Sequence, residues 1–289
     1  MIELLALGSS VLYGSADFFG GLTARRTNII TTVFWSQFVG LVLMGIVLPF
    51  LPAATVSPRD WVWGFVGGLS GGICVALLYR ALAIGAMAVV APTTAVIAAM
   101  IPVVFAFVMG ERLRPLTLAG VALALVAIVL VSRPASESSA DSEKIKSRGF
   151  PPGFGLALLA GVCVGIFFLS LARTTMAAGM WPLMAARISS ITLFGLIALV
   201  TRTTLRMSRP AATTAATSGA LDMAANALYM IAARVGPLSI VVTLASLYPA
   251  STVLLARFVL GERLSFVQII GIASALGAVV IIVSQGAAV

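Results

Sequence analysis

One apolar run after another, each about as long as a bilayer is thick, constrains this chain more than any other feature. A helix needs about 20 apolar residues to cross the hydrocarbon core. Hydropathy marks ten such runs, at 2–22, 29–51, 61–84, 89–109, 115–131, 153–173, 180–201, 213–233, 237–260 and 265–283, which leaves little else of the 289 residues. Only 9% of the residues are charged, against roughly a quarter in soluble domains. The expected fold is an all-α polytopic membrane protein with ten transmembrane helices and no separate soluble catalytic domain.

The missing residue types narrow the chemistry. There is no histidine, which excludes a His-based zinc protease and a Ser-His dyad. The only lysines are Lys144 and Lys146, and neither follows a glycine-rich loop, so the chain carries no P-loop. Neither an enzyme nor a cofactor or metal site is expected. The net charge of +9 is read as contact with lipid headgroups and not with nucleic acid, because the basic residues gather at helix ends and loops. Cys74 and Cys163 fall inside apolar runs and read as small buried hydrophobes, not a disulfide. Met-Ile-Glu at the start lacks the positive region of a signal peptide, so the first run is expected to remain as a helix.

The two halves resemble each other. Gly110-Glu111-Arg112-Leu113 recurs as Gly261-Glu262-Arg263-Leu264 at an offset of 151, which also lays Gly85 on Gly236 and Ala76-Leu77 on Ala227-Leu228. Ala24-Arg25 lies on Ala172-Arg173 at an offset of 148. Two five-helix repeats follow, 1–132 and 151–289, joined by a polar linker at 133–150 rich in Ser, Glu, Lys and Arg. Five is odd, so consecutive repeats enter the membrane from opposite faces, the inverted arrangement that secondary transporters build around a midplane site. A duplicated bundle without a transport role is the alternative. In the repeated Gly-Glu-Arg-Leu, glycine ends one helix while Pro115, or the box Ser265-x-x-Gln268, starts the next. Glu111 and Glu262 are expected to pin that corner structurally before they touch a substrate.

These residues resemble the drug/metabolite transporter superfamily, specifically its two-domain EamA-type exporters. The likeness rests on Gly-Glu-Arg-Leu after a proline-containing apolar helix in each half, on Ser246-Leu247-Tyr248-Pro249, and on Arg187 early in the seventh run, and it extends over nearly the whole chain. It implies a central cavity lined by helices one, three and four and their partners six, eight and nine, and export of amino acids or other small metabolites. Gln37 departs from the pattern where Arg187 stands in the second half. So does Tyr13-Gly14-Ser15-Ala16-Asp17, where many members carry an uncharged Trp-Gly-Ser-Asn.

An ionisable residue at membrane depth faces a cavity or a partner. Asp17 and Arg187 are the deep ones. Ser10, Tyr13 and Asp17 share one helix face, and Asp17 is either a proton site, an anchor for a substrate amine, or a packing group. Arg187 is either an anchor for a carboxylate or phosphate or a snorkelling side chain. Asp222, Asn226 and Tyr229 form a second stripe, with Asp222 read first as a partner of the helix dipole and Asn226 and Tyr229 as cavity candidates. Tyr79 is a further candidate, whereas Arg80 is read as reaching the interface. Pro92, Thr93, Thr94 and Pro102, with Thr243, Ser246, Tyr248 and Pro249, mark kink or gate points or ordinary helix contacts.

The expected function is a monomeric secondary transporter of the plasma membrane that exports small organic solutes, with protons as a candidate coupling ion. A lipid-handling or non-transporting partner protein is the alternative. An intramembrane aspartyl enzyme built on Asp17 and Asp222 lacks the Gly-x-Gly-Asp context. Orientation stays open. Five basic residues fall on the N-terminal side and twelve on the other, which places the termini outside by the positive-inside rule, while the resemblance places them in the cytoplasm.

Overall fold

The computed structural model describes residues 1–84, 87–110, 112, 114–131, 152–260 and 266–286, and these are helices and connecting turns with no strand among them. The helices are α1 (Ile2–Ala24), α2 (Ile29–Val47), α3 (Pro58–Ile84), α4 (Met87–Val108), α5 (Pro115–Val131), α6 (Phe154–Ala172), α7 (Trp181–Val200), α8 (Arg209–Val235), α9 (Leu238–Ala245), α10 (Tyr248–Leu260) and α11 (Phe266–Gly286). Glu111, Gly261, Glu262 and Arg263 lie outside the described residues, as do the 133–150 linker and Ser265 of the expected capping box. Gly110 ends α4 with a φ of +92°, a conformation glycine adopts freely, and Arg112 is exposed.

Six described segments are long and apolar enough to cross a membrane: Ile2–Ala24, Ile29–Phe50, Pro58–Leu82, Phe154–Ala172, Trp181–Val200 and Leu238–Val259. The last joins α9 to α10 through a break at Ser246-Leu247, where the sequence reading expects one continuous helix. Pro249 sits in the first turn of α10, where its missing N–H leaves no helical bond unmade. Large apolar side chains such as Leu4, Val11, Val104, Leu159, Leu196 and Val280 point outward, as a lipid-facing surface requires. The chain is therefore a multi-pass membrane protein.

α8 is not among the six. It runs for 27 residues rich in alanine and threonine, and α1 and α2 pack along it, so its polar stripe is taken up by protein. This packing recurs with the halves exchanged. α1 lies on α8 as α6 lies on α3, α2 on α8 as α7 on α3, and α1 on α9 and α10 as α6 on α4. α2 and α7 meet each other, and so do α5 and α11. The exchange extends to single residues. Gly68 of α3 abuts the Ala186 carbonyl of α7, and Gly219 of α8 abuts the Ser36 carbonyl of α2. Neither approach leaves room for a Cβ, and lipid provides no hydrophobic drive, so close backbone contact of this kind holds membrane helices together.

A polar clip closes one end. Ser57 caps α3 and Asp60 reaches back to it, accepting from the Ser57 amide at 3.0 Å and its hydroxyl at 2.6 Å. The same carboxylate accepts from the Thr175 amide at 2.7 Å and the Thr175 hydroxyl at 3.1 Å, tying the start of α3 to the α6–α7 connection. The Thr55 amide donates to the Ala177 carbonyl at 2.8 Å alongside. Arg234, in the last turn of α8, holds the same connection through the Gly179 carbonyl at 2.6 Å and the Thr174 hydroxyl at 2.7 Å.

Two outcomes follow for the protein in mild detergent. Gly68→Leu and Gly219→Leu each cost about 1–3 kcal/mol through overpacking, whereas Gly155→Ala, which meets nothing within 4 Å, does not lower the melting temperature. Asp60→Ala costs about 2 kcal/mol by removing a cap and the charged bonds to Thr175. An unchanged melting temperature for Asp60→Ala would show that the carboxylate holds nothing.

Candidate functional site

Where α1, α2, α3, α6, α7, α8 and α10 converge they leave a cavity. Its floor is made possible by small residues on α3, since Gly68, Gly71 and Gly72 all line it. Helical spacing puts Tyr13 and Asp17 one turn apart on the face of α1 that looks into it. Gly14, between them, lets α1 approach α10 closely at Ser251. Phe167, Phe168 and Tyr248 add aromatic wall, and Cys74, Val75, Leu78, Val164 and Leu183 add apolar wall.

A connected polar chain crosses this cavity. Arg187 is buried at 5% exposure, and each of its three guanidinium nitrogens donates. Nη1 donates to Gln37 Oε1 of α2, Nη2 donates to Asp222 Oδ2 of α8 at 2.5 Å, and Nε contacts Met223 Sδ at 3.3 Å. Gly40 clears the space, since a Cβ there would meet Nε at 3.1 Å. Asn226 Nδ2 donates to Asp222 Oδ2 at 3.1 Å and to the Asp222 carbonyl at 2.7 Å. Tyr13 completes the chain by donating to Asn226 Oδ1 at 2.6 Å.

Asp17 stands apart from this network. Among the described residues nothing donates a hydrogen bond to it, and it has no ion-pair partner. It is part-buried in the cavity wall.

Of the residues the sequence singles out, the cavity brings together Tyr13, Asp17, Arg187, Asn226 and Tyr248. Its lining does not include the others. Tyr229 stacks on Phe168 with ring centroids 4.4 Å apart and donates to the Phe168 carbonyl at 3.0 Å. The Tyr79 hydroxyl lies 3.3 Å from Ser218 Oγ, a hydroxyl that itself donates to the Ala16 carbonyl at 2.8 Å. Thr94 donates to the Ala157 carbonyl at 3.1 Å and Thr243 to the Ser239 carbonyl at 2.7 Å. Thr93 is part-buried on α4, and Pro102 is buried within that helix. Ser246, at the α9–α10 break, is fully buried with no partner for its hydroxyl among the described residues. The side chain of Pro92 lies outside the described residues.

Sequence reasoning gave Asp222 to the helix dipole and treated Gln37 only as a departure from a pattern. The repeat carried the missing signal. At an offset of 150 Gln37 is the counterpart of Arg187, and at 151 Gly71 is the counterpart of Asp222. One half supplies a charged pair at positions where the other supplies an amide and a glycine, and the two counterparts Gln37 and Arg187 bond each other directly.

Comparison with known proteins agrees with this architecture. Among solved structures, the crystal structure of a protein 19% identical to this chain aligns with a TM-score of 0.72, covering 97% of this chain and 95% of its own. That likeness concerns fold alone. No curated protein sequence matches. A model of the EamA-like transporter family matches residues 1–133 and again 151–284. With both sets of helices matched in turn and little left out beyond the linker, the chain belongs to the EamA-like transporter family.

Proposed function

We propose that this protein is a secondary transporter that exports small organic solutes across the plasma membrane by alternating access. The reading takes 1–132 and 151–289 as inverted five-helix repeats with ten passes, the ninth being α9 and α10 together. The observation that carries it is the cavity itself, which draws aromatic, apolar and ionisable side chains from both halves, as a substrate site between inverted repeats would. Reciprocal packing of the halves supports the repeat. An odd number of passes in each repeat supports the inversion. No covalent step is involved, and one chain supplies the whole cavity, so a monomer suffices.

On this reading Arg187 is a positioning residue. Its guanidinium joins α2, α7 and α8 across the cavity, and truncating one partner of a buried ion pair costs about 3–5 kcal/mol. The clip of Asp60 on Thr175 joins the halves at one face and is proposed as the latch that releases when that face opens.

Cys74 lines the cavity and reports its access. In a Cys163→Ser background, a charged, membrane-impermeant thiol reagent is expected to modify Cys74 from either face of sealed vesicles. Asp60→Asn is expected to speed the modification from the face that carries Asp60. Modification from a single face, whatever the conditions, would make the cavity a static vestibule and remove alternating access. The solute is found by comparing metabolites outside cells that overproduce the parent, the Arg187→Gln variant or neither. A compound enriched by the parent and reduced severalfold by the variant supports export, and no enrichment of any compound counts against it.

A further inference from the structure

We propose that the solute is an organic monocation with an aromatic or apolar body, held by Asp17, and not a zwitterion. This rests on the transporter reading above. Among the described residues the cavity holds two carboxylates, Asp17 and Asp222, against one guanidinium, Arg187, so one carboxylate has no cationic counterpart. Which one is settled by the bonds. Asp222 accepts from Arg187 and from Asn226, whereas among the described residues Asp17 has no donor and no ion-pair partner.

A charge left without a partner at membrane depth is costly, and attraction to an incoming cation is strengthened by the same low dielectric. The walls around Asp17 suit such a cation's body. Phe167, Phe168, Tyr13 and Tyr248 line the same space, and aromatic faces attract cations directly.

The opposite end of a zwitterion has no comparable partner. Its carboxylate would have to share the guanidinium of Arg187, which already neutralises Asp222 and also donates to Gln37 and Met223. Such sharing would weaken the ion pair with Asp222 and bring a third carboxylate beside Asp17 and Asp222. The cavity therefore discriminates by unpaired charge as well as by attraction, which is how strong selectivity arises.

The test uses three probes of one ring size: benzyltrimethylammonium, phenylalanine and phenylacetate, titrated calorimetrically into the full chain in lipid nanodiscs. Benzyltrimethylammonium is expected to bind at least about tenfold more tightly than phenylalanine, with phenylacetate weakest. Asp17→Asn is expected to lower the affinity for the cation about tenfold or more. Asp222→Asn frees one guanidinium nitrogen and is expected to raise phenylacetate binding relative to the cation by about tenfold. The ranking in the parent stands as a test even where a variant fails to fold. A parent that prefers phenylalanine or phenylacetate, binds none of the three, or keeps its cation affinity in Asp17→Asn overturns the assignment. Cys74 labelling separates the two proposals: modification from both faces alongside a preference for phenylalanine sinks the monocation alone, and modification from one face sinks the transport reading.

Discussion

The guanidinium of Arg187 is buried among helices, and much of the interior is arranged around that fact. A charge at this depth is tolerated only when it is paired and its remaining protons are satisfied. The partners come from two other helices, Gln37 on α2 and Asp222 with Met223 on α8, while Arg187 itself is on α7. Satisfying one side chain therefore sets the relative positions of α2, α7 and α8. Asn226 and Tyr13 extend the same demand to α1. Gly40 eases the arrangement, because even a Cβ there would crowd the guanidinium at 3.1 Å from Nε.

Close packing works toward the same end by another route. Membrane helices are not pushed together by water, so they associate where backbones can touch. Gly68 against Ala186 and Gly219 against Ser36 provide two such contacts related by the repeat. On this nearly symmetric frame the chemistry lies where the halves differ. Arg187 faces Gln37, Asp222 answers to Gly71, and Asp17 answers at an offset of 148 to Gly165. A frame that repeats holds the helices, and departures from the repeat furnish the cavity.

Hydropathy made most of the helices legible, because lipid demands long apolar runs, and the twin Gly-Glu-Arg-Leu made the duplication legible. It served less well for α8, whose boundaries extend from Arg209 to Val235 well past the apolar window, since a helix shielded by α1 and α2 need not be apolar all round. The break between α9 and α10 was signalled only by Pro249. Among the polar residues, helical spacing placed Tyr13 with Asp17 correctly in one wall, but it could not tell a cavity from a neighbouring helix. Tyr229 and Thr243 therefore read as candidates although their hydroxyls are taken by the carbonyls of Phe168 and Ser239. The clip at Asp60 was written in Ser57-x-x-Asp60, a capping pattern that is easily passed over beside a strong apolar run.

That clip also bears on how two faces of one duplicated chain become unequal. If identical inverted repeats exchanged conformations, the two access states would be mirror images in energy, and neither face would be favoured. Asp60 breaks the equality, because its counterpart at an offset of 151 is Ala211, which has no carboxylate to tie the corresponding loop. The opposite end of the bundle is joined by neutral donors, Trp35 Nε1 to the Leu205 carbonyl at 2.7 Å and the Thr31 hydroxyl to the Thr204 carbonyl at 3.0 Å. Hydrogen bonds to a charged acceptor are worth roughly twice those to a neutral one, so the Asp60 face is the more firmly held. A difference of about 1.4 kcal/mol between the faces already makes one state tenfold more populated. On the proposed alternating-access reading, the side on which a solute is met is weighted by a carboxylate at the end of α3, remote from the cavity lining.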